Sequence, residues 1–143
     1  MAISGITFKK NFDLRRTADE RAERTKRELG AALFDAKAEI VERTLQGRDV
    51  DSRGFKNYSE RYGKAKLEKT GRATPNLTVT GNMLKNITVK VEQVGKDIVG
   101  RLFFSSTAEA TKARYNQAIR KFFGLDTSQF NRLIERIRGA WNK

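Results

Sequence analysis

From Ala18 to Gln46 apolar residues recur every three or four positions, which predicts one long helix. Thr17 followed by Glu20 reads as a capping box at its start, and Gly47 supplies a stop. Projected at about 100° per residue, Ala22, Leu29, Ala32, Leu33, Ala36 and Ile40 share one stripe. Phe34, Ala38, Val41 and Leu45 form a second stripe, nearly opposite. The first turns, Asp19 to Glu28, are charged nearly all round. The helix is therefore expected to be solvated at its start and apolar on two faces in its second half. One face covers the protein's own sheet. The other is filled either by the C-terminal helix of the same chain or by a second subunit, which makes Phe34, Ala38, Val41 and Leu45 the subunit-interface residues in the latter case.

Around this helix the pattern is mixed. Gly5-Ile6-Thr7-Phe8 alternates weakly and starts a short strand. Residues 48–76 break the periodicity and read as a basic, loop-rich excursion closed by Pro75. Thr80 caps a short turn over 81–86. Ile87, Val89 and Val91 then alternate with Thr88, Lys90 and Glu92, turn chemistry follows at Val94-Gly95-Lys96-Asp97, and Ile98 to Phe104 returns as a second strand. This predicts a β-hairpin over 86–104. Gly100, on the face shared by Ile98, Leu102 and Phe104, marks a close approach or a bulge. Residues 108–121 are Ala-rich and basic, and Phe122-Phe123-Gly124-Leu125 ends that element. Asp126, Thr127 or Ser128 caps a last helix, about 127–141, whose stripe is Phe130, Leu133, Ile134, Ile137 and Trp141. The expected fold is α+β: one domain over 1–143, with a long N-terminal and a C-terminal helix packed on a small antiparallel sheet.

Composition narrows the chemistry. The 143 residues include no Cys and no His, which removes thiol nucleophiles, disulfides, soft-donor zinc sites and the usual neutral-pH proton shuttle. No glycine motif of the phosphate-cradling kind occurs. No enzyme and no cofactor are expected. No apolar run is long enough to span a bilayer and the opening residues have no signal-peptide character, so the expectation is a cytoplasmic protein without a membrane partner. Thirty Lys and Arg against seventeen Asp and Glu leave a net charge of +13. Such an excess suits nucleic acid or acidic protein neighbours equally. Seven Lys and Arg between Arg53 and Arg72 are interleaved with Phe55, Tyr58 and Tyr62. That arrangement occurs in single-stranded nucleic-acid platforms, though tyrosines four apart more often pack together.

Four segments in the same order resemble the tail-completion and head–tail joining proteins of tailed bacteriophages. They are Ile3-Ser4-Gly5-Ile6 before a long helix, Gly54-Phe55 with Tyr58-Ser59 and Tyr62, Leu77-Thr78-Val79-Thr80-Gly81-Asn82-Met83-Leu84 running into Ile87, and Arg120-Lys121-Phe122-Phe123-Gly124-Leu125 before a final helix. The chain departs from that pattern at Lys121, where a proline is frequent, and in its long basic 53–72 stretch. The resemblance implies a virion protein, assembled in the host cytoplasm, that forms a homo-oligomeric ring between portal or adaptor and tail-tube proteins. Contact with genomic DNA in the channel would be transient. It also makes Lys56, Arg61, Lys64, Lys66, Lys69, Phe122 and Phe123 the residues expected to dock neighbouring proteins. A small basic nucleic-acid-binding protein, associated with ribosome or nucleoid, is the alternative.

Overall fold

The computed structural model describes residues 5–11, 19–72, 77 and 81–142, with only the backbone of 8–11. Expectations placed on Ile3, Ser4, Thr17, Pro75, Thr78, Val79 and Thr80, the two Thr caps included, lie outside the described residues. The elements in order are β1 (Ile6–Asn11), α1 (Asp19–Leu45), α2 (Glu60–Thr70), α3 (Asn82–Lys85), β2 (Ile87–Val94), β3 (Asp97–Phe104), α4 (Thr107–Ile119) and α5 (Thr127–Asn142). The architecture is the α+β arrangement expected: a three-stranded antiparallel sheet in the order β1-β3-β2, with α1 lying on it and α5 packed along α1.

Strand alternation decides which face meets the helix. Ile87, Val89 and Val91 of β2 stand opposite Phe104, Leu102 and Gly100 of β3, and Ile6 of β1 also pairs with Leu102. Ile87, Ile98, Leu102 and Phe104 are buried in the core cluster with Leu29, Leu33, Ala36 and Ile40 of α1. The opposite face carries charge instead: Glu92 pairs with Lys90 at 3.5 Å and Arg101 at 3.9 Å. Of the two readings of Gly100, the structure selects the close approach. The ladder runs through it without interruption, and a Cβ there would sit 2.6 Å from Leu33 Cδ1 and 2.9 Å from Leu29 Cδ2.

α1 stops at Gly47 by a Schellman motif. Gly47 adopts φ 75°, its N–H donates to Thr44 O at 2.9 Å, and Arg48 N–H donates to Arg43 O at 3.1 Å. Asp126 turns out to be the cap of α5, in a reciprocal capping box: Gln129 N–H donates to Asp126 Oδ1 at 2.7 Å and Asp126 N–H to Gln129 Oε1 at 3.0 Å. Along the α1–α5 contact, Arg136 donates to Glu28 at 3.0 Å and Asp35 at 2.6 Å. These two carboxylates hold the Arg136 guanidinium above its ordinary pKa. The stripe expected on α5 is shifted: Leu133, Ile137 and Ala140 are buried, while Phe130 is exposed.

Arg43 crosses from α1 to the α4–α5 connection. Its guanidinium donates to Phe122 O at 2.8 Å, Gly124 O at 2.9 Å and Gln129 Oε1 at 3.2 Å. Gln129 Nε2 in turn donates to Glu39 Oε2 at 2.6 Å, closing the network back onto α1. Burial lowers the Arg43 pKa, partly countered by Asp126, Asp49, Glu39 and Asp51.

The 48–76 segment is less loop-rich than expected, because it contains α2. Ser59 caps that helix by accepting from Tyr62 N–H at 3.3 Å, and Gly71, at φ 73°, ends it. Its single buried residue is Lys66, so no apolar periodicity announces it.

At an open strand position, Gly→Ala is favourable by about 0.5–1 kcal/mol. At Gly100 the sign should reverse. Gly100→Ala is expected to lower stability by about 1–3 kcal/mol, the range for overpacking a filled core, as read from the urea midpoint; a stabilised variant would contradict the close approach.

Candidate docking surfaces

The second stripe of α1 points away from the rest of the chain. Phe34 is 59% exposed and Leu45 43%; Ala38 is exposed, and Val41 packs only partly against the core. α5 does not fill this face, because its arginines engage Glu28, Asp35 and Glu39 on another side of α1. Of the two occupants expected for the stripe, the chain's own C-terminal helix is thereby ruled out.

The basic excursion is organised around Tyr58. Lys66 Nζ lies 5.0 Å and Arg120 Cζ 4.6 Å from the centre of its ring, both cations on π-density. Tyr62 meets the same ring edge-on at 4.7 Å. The Tyr58 hydroxyl accepts from Leu77 N–H at 3.1 Å. Arg120 Nε donates to Lys56 O at 2.9 Å and its NH2 to Asn57 O at 3.4 Å, which fastens the start of α2 to the end of α4. Burial, followed by repulsion from Arg120 and Arg72, pushes the Lys66 ammonium below its ordinary pKa.

Three of the residues expected to dock partners are therefore not available for that task. Lys66 is buried to 2% exposure, with its head against the Tyr58 ring. Phe122 and Phe123 are also buried, with ring centres 6.4 Å and 5.0 Å from Phe104. Their backbone fixes that direction: Arg43 holds Phe122 O, and the Gln117 amide brackets Phe123 by accepting from its N–H and donating to its O. Lys56, Arg61, Lys64 and Lys69 do lie exposed, with Lys64 paired to Glu60 at 3.1 Å.

One surface was not foreseen. A groove of about 660 Å³ runs between α2 and α4, lined by Tyr58, Tyr62, Met83, Tyr115, Ile119 and Arg120 among others. Tyr115 is 73% exposed, and Tyr62 and Ile119 close to half. The signal lay in Tyr115 and Ile119, four apart on a helix and so on one face, within a segment whose Ala and basic content drew attention first.

Among the described residues no cluster of acidic side chains could hold a metal ion, and no helix is long and apolar enough to cross a membrane. Compared with protein-family models, with curated proteins and with solved structures, the chain matches none.

The Lys66 site carries a pH signature. A lowered pKa means that the folded state holds the Lys66 proton less tightly than the unfolded chain, so this residue's contribution to stability improves as pH rises towards 10.5. Lys66→Met keeps the packed stem and removes the charge. The variant is expected to be at least as stable as the parent at neutral pH, with the difference shrinking as pH rises towards 10.5. Paired urea titrations at several pH values check this, and a constant difference would contradict it.

Proposed function

We propose that the chain is a structural subunit of the neck or tail top of a tailed bacteriophage, forming a homo-oligomeric ring that joins head to tail. The observation that carries this reading is the bare apolar stripe of α1, with Phe34 and Leu45 exposed. A stripe of this kind on a helix whose other face is fully used is suited to a neighbouring subunit. The four ordered segments of phage resemblance add to it, and the structure puts two of them in packing roles: Phe122-Phe123-Gly124-Leu125 seats α5, and Met83-Leu84 of α3 enters the core.

Basic docking residues fit the same reading. A ring that docks on acidic adaptor or tail subunits gains association rate from complementary charge. A dense basic lining of a DNA channel would retard passage, since each phosphate contact releases counterions and adds affinity. Lys56, Arg61, Lys64 and Lys69 are therefore assigned to axial or outer protein-facing surfaces.

A second reading, nucleic-acid binding, is favoured by one observation: exposed Tyr62 and Tyr115 line one groove together with Lys112 and Arg120.

Two measurements decide. In a reconstruction of the virion, this chain is expected as a symmetric ring at the head–tail junction, with most of the four basic residues nearer to carboxylates of other chains than to the axis. A strictly monomeric chain absent from the particle overturns the neck reading. Titration with single- and double-stranded oligonucleotides at two salt concentrations tests the other: a phosphate binder shows a log–log slope of about −0.9 per contact on duplex DNA, whereas undetectable binding at low salt removes it.

A further inference from the structure

We infer that two copies of this chain pair through α1, bare stripe on bare stripe, with the two helices running in the same direction. The inference rests on the ring reading only in taking the stripe as a contact between copies, and then goes beyond it. A two-fold contact closes on two copies, so the pair is the form of the chain outside a particle, and it opens when a ring neighbour takes the same stripe.

The spacing of the stripe points to a second helix. Ala31, Phe34, Ala38, Val41 and Leu45 follow one another at intervals of three, four, three and four. That is the alternation of a coiled-coil seam over two heptads, with Ala31, Ala38 and Leu45 at a and Phe34 and Val41 at d. The seam is about 21 Å long. Phe34, Ala38 and Leu45 are exposed along it, and Ala31 and Val41 are partly buried. The sheet and α5 occupy other sides of the helix: Leu29, Leu33 and Ile40 enter the core, while Glu28, Asp35 and Glu39 meet α5.

The charges beside the seam say that this helix is another α1. In the heptad frame Lys37 falls at g and Glu42 at e. Among the described residues neither side chain has an ion pair or a hydrogen bond. Glu23, by contrast, is taken by Lys26, and Glu28, Asp35 and Glu39 by α5. In a parallel pair a g residue meets the e residue five positions further along the other helix, so Lys37 meets Glu42 of the second copy, and two-fold symmetry makes the bridge twice.

Direction follows from the same frame. In the parallel register every layer from Ala31 to Leu45 is apolar on both sides, and the next residue of the frame, Arg27, faces its own copy and ends the seam. Antiparallel alignments set a against d. They place Arg27 on Leu45, or leave Ala31 beyond the end of the other helix. They also turn Glu42 towards Asp35 or towards itself and leave Lys37 without an acid.

The chain has no cysteine, so single cysteines in the full chain report which positions meet. Ala31→Cys and Leu45→Cys mark the two ends of the seam, and Lys64→Cys, exposed and away from it, gives the background of chance collisions. A disulfide needs Cα atoms within about 7 Å. Under mild oxidation each end variant is therefore expected to link to itself well above background, and a mixture of the two is expected to form no link between unlike ends. Links that appear only between unlike ends show antiparallel helices and overturn the inference. So does the absence of links above background, whether light scattering finds the parent chain monomeric or associated through another surface such as the α2–α4 groove. The charge arm uses Lys37→Glu and Glu42→Lys. At low salt each is expected to weaken the pair about tenfold, because two ion pairs become two repulsions, and the double exchange is expected to restore it. Circular dichroism confirms that the variants are folded; should one fail, Glu42→Gln, expected to weaken the pair about threefold, takes its place. Reversals without effect, or a double exchange no better than the single ones, overturn the parallel pairing. Absence of the chain from virions, with the links still forming, overturns the neck reading alone. A ring in the virion built from a chain that is monomeric in solution overturns the pair alone.

Discussion

The Arg43 guanidinium is the constraint on which the rest of the structure depends. It arises from the last turn of α1 and takes two carbonyls of the α4–α5 connection, at Phe122 and Gly124, together with the side chain of Gln129. Hydrogen bonds of this kind, from a charged donor to buried acceptors, are each worth about 1.5–3 kcal/mol. They turn the connection so that Phe122 and Phe123 face Phe104, and they leave Asp126 and Gln129 in place to cap α5. The helix so started then runs back along α1 through Arg132 and Arg136. Core, cap and helix pairing thus follow from a single buried cation whose desolvation is only partly offset by nearby carboxylates.

A second cationic centre organises the other side. α2 has almost no apolar content facing the core; it is anchored by Lys66 and by Arg120, which share the ring of Tyr58. Burial first, and repulsion from Arg120 and Arg72 second, lower the Lys66 pKa, so holding this cation beside a second one has a cost. The carbonyls of Lys56 and Asn57 offset it by accepting from Arg120. The basic excursion is therefore not merely a solvated face. Part of its charge is internal structure, while Arg53, Lys56, Arg61, Lys64, Lys69 and Arg72 stand outside.

Elements with strong periodicity were legible in the sequence. The long helix, its Gly47 stop, the hairpin and the final helix all appear where alternation or helical spacing placed them, and Gly100 announced the approach of Leu29 and Leu33. α2 was not legible, because periodicity reports burial of apolar groups and its buried residue is a lysine. The same blindness affected the docking residues. Lys66 looked like surface by type, and Phe122 and Phe123 looked free because the arginine that orients them lies 79 residues away from Phe122. The bare stripe of α1 was visible as a stripe, but which neighbour α5 would choose depended on Glu28, Asp35 and Glu39, all of which read as ordinary surface charge.

The distance in sequence between α1 and its covering helix has a consequence on the ribosome. Contacts such as Arg43–Gln129 and Glu28–Arg136 span 86 and 108 residues. At about 5–20 residues per second of synthesis, α1 waits for roughly 4–20 seconds before α5 exists to pair with it. Until the β2–β3 hairpin is made, both of its apolar stripes are open to other nascent chains and to chaperones. Folding closes one of them. The stripe of Phe34 and Leu45 stays open afterwards, so completion of the fold does not end the exposure of this helix.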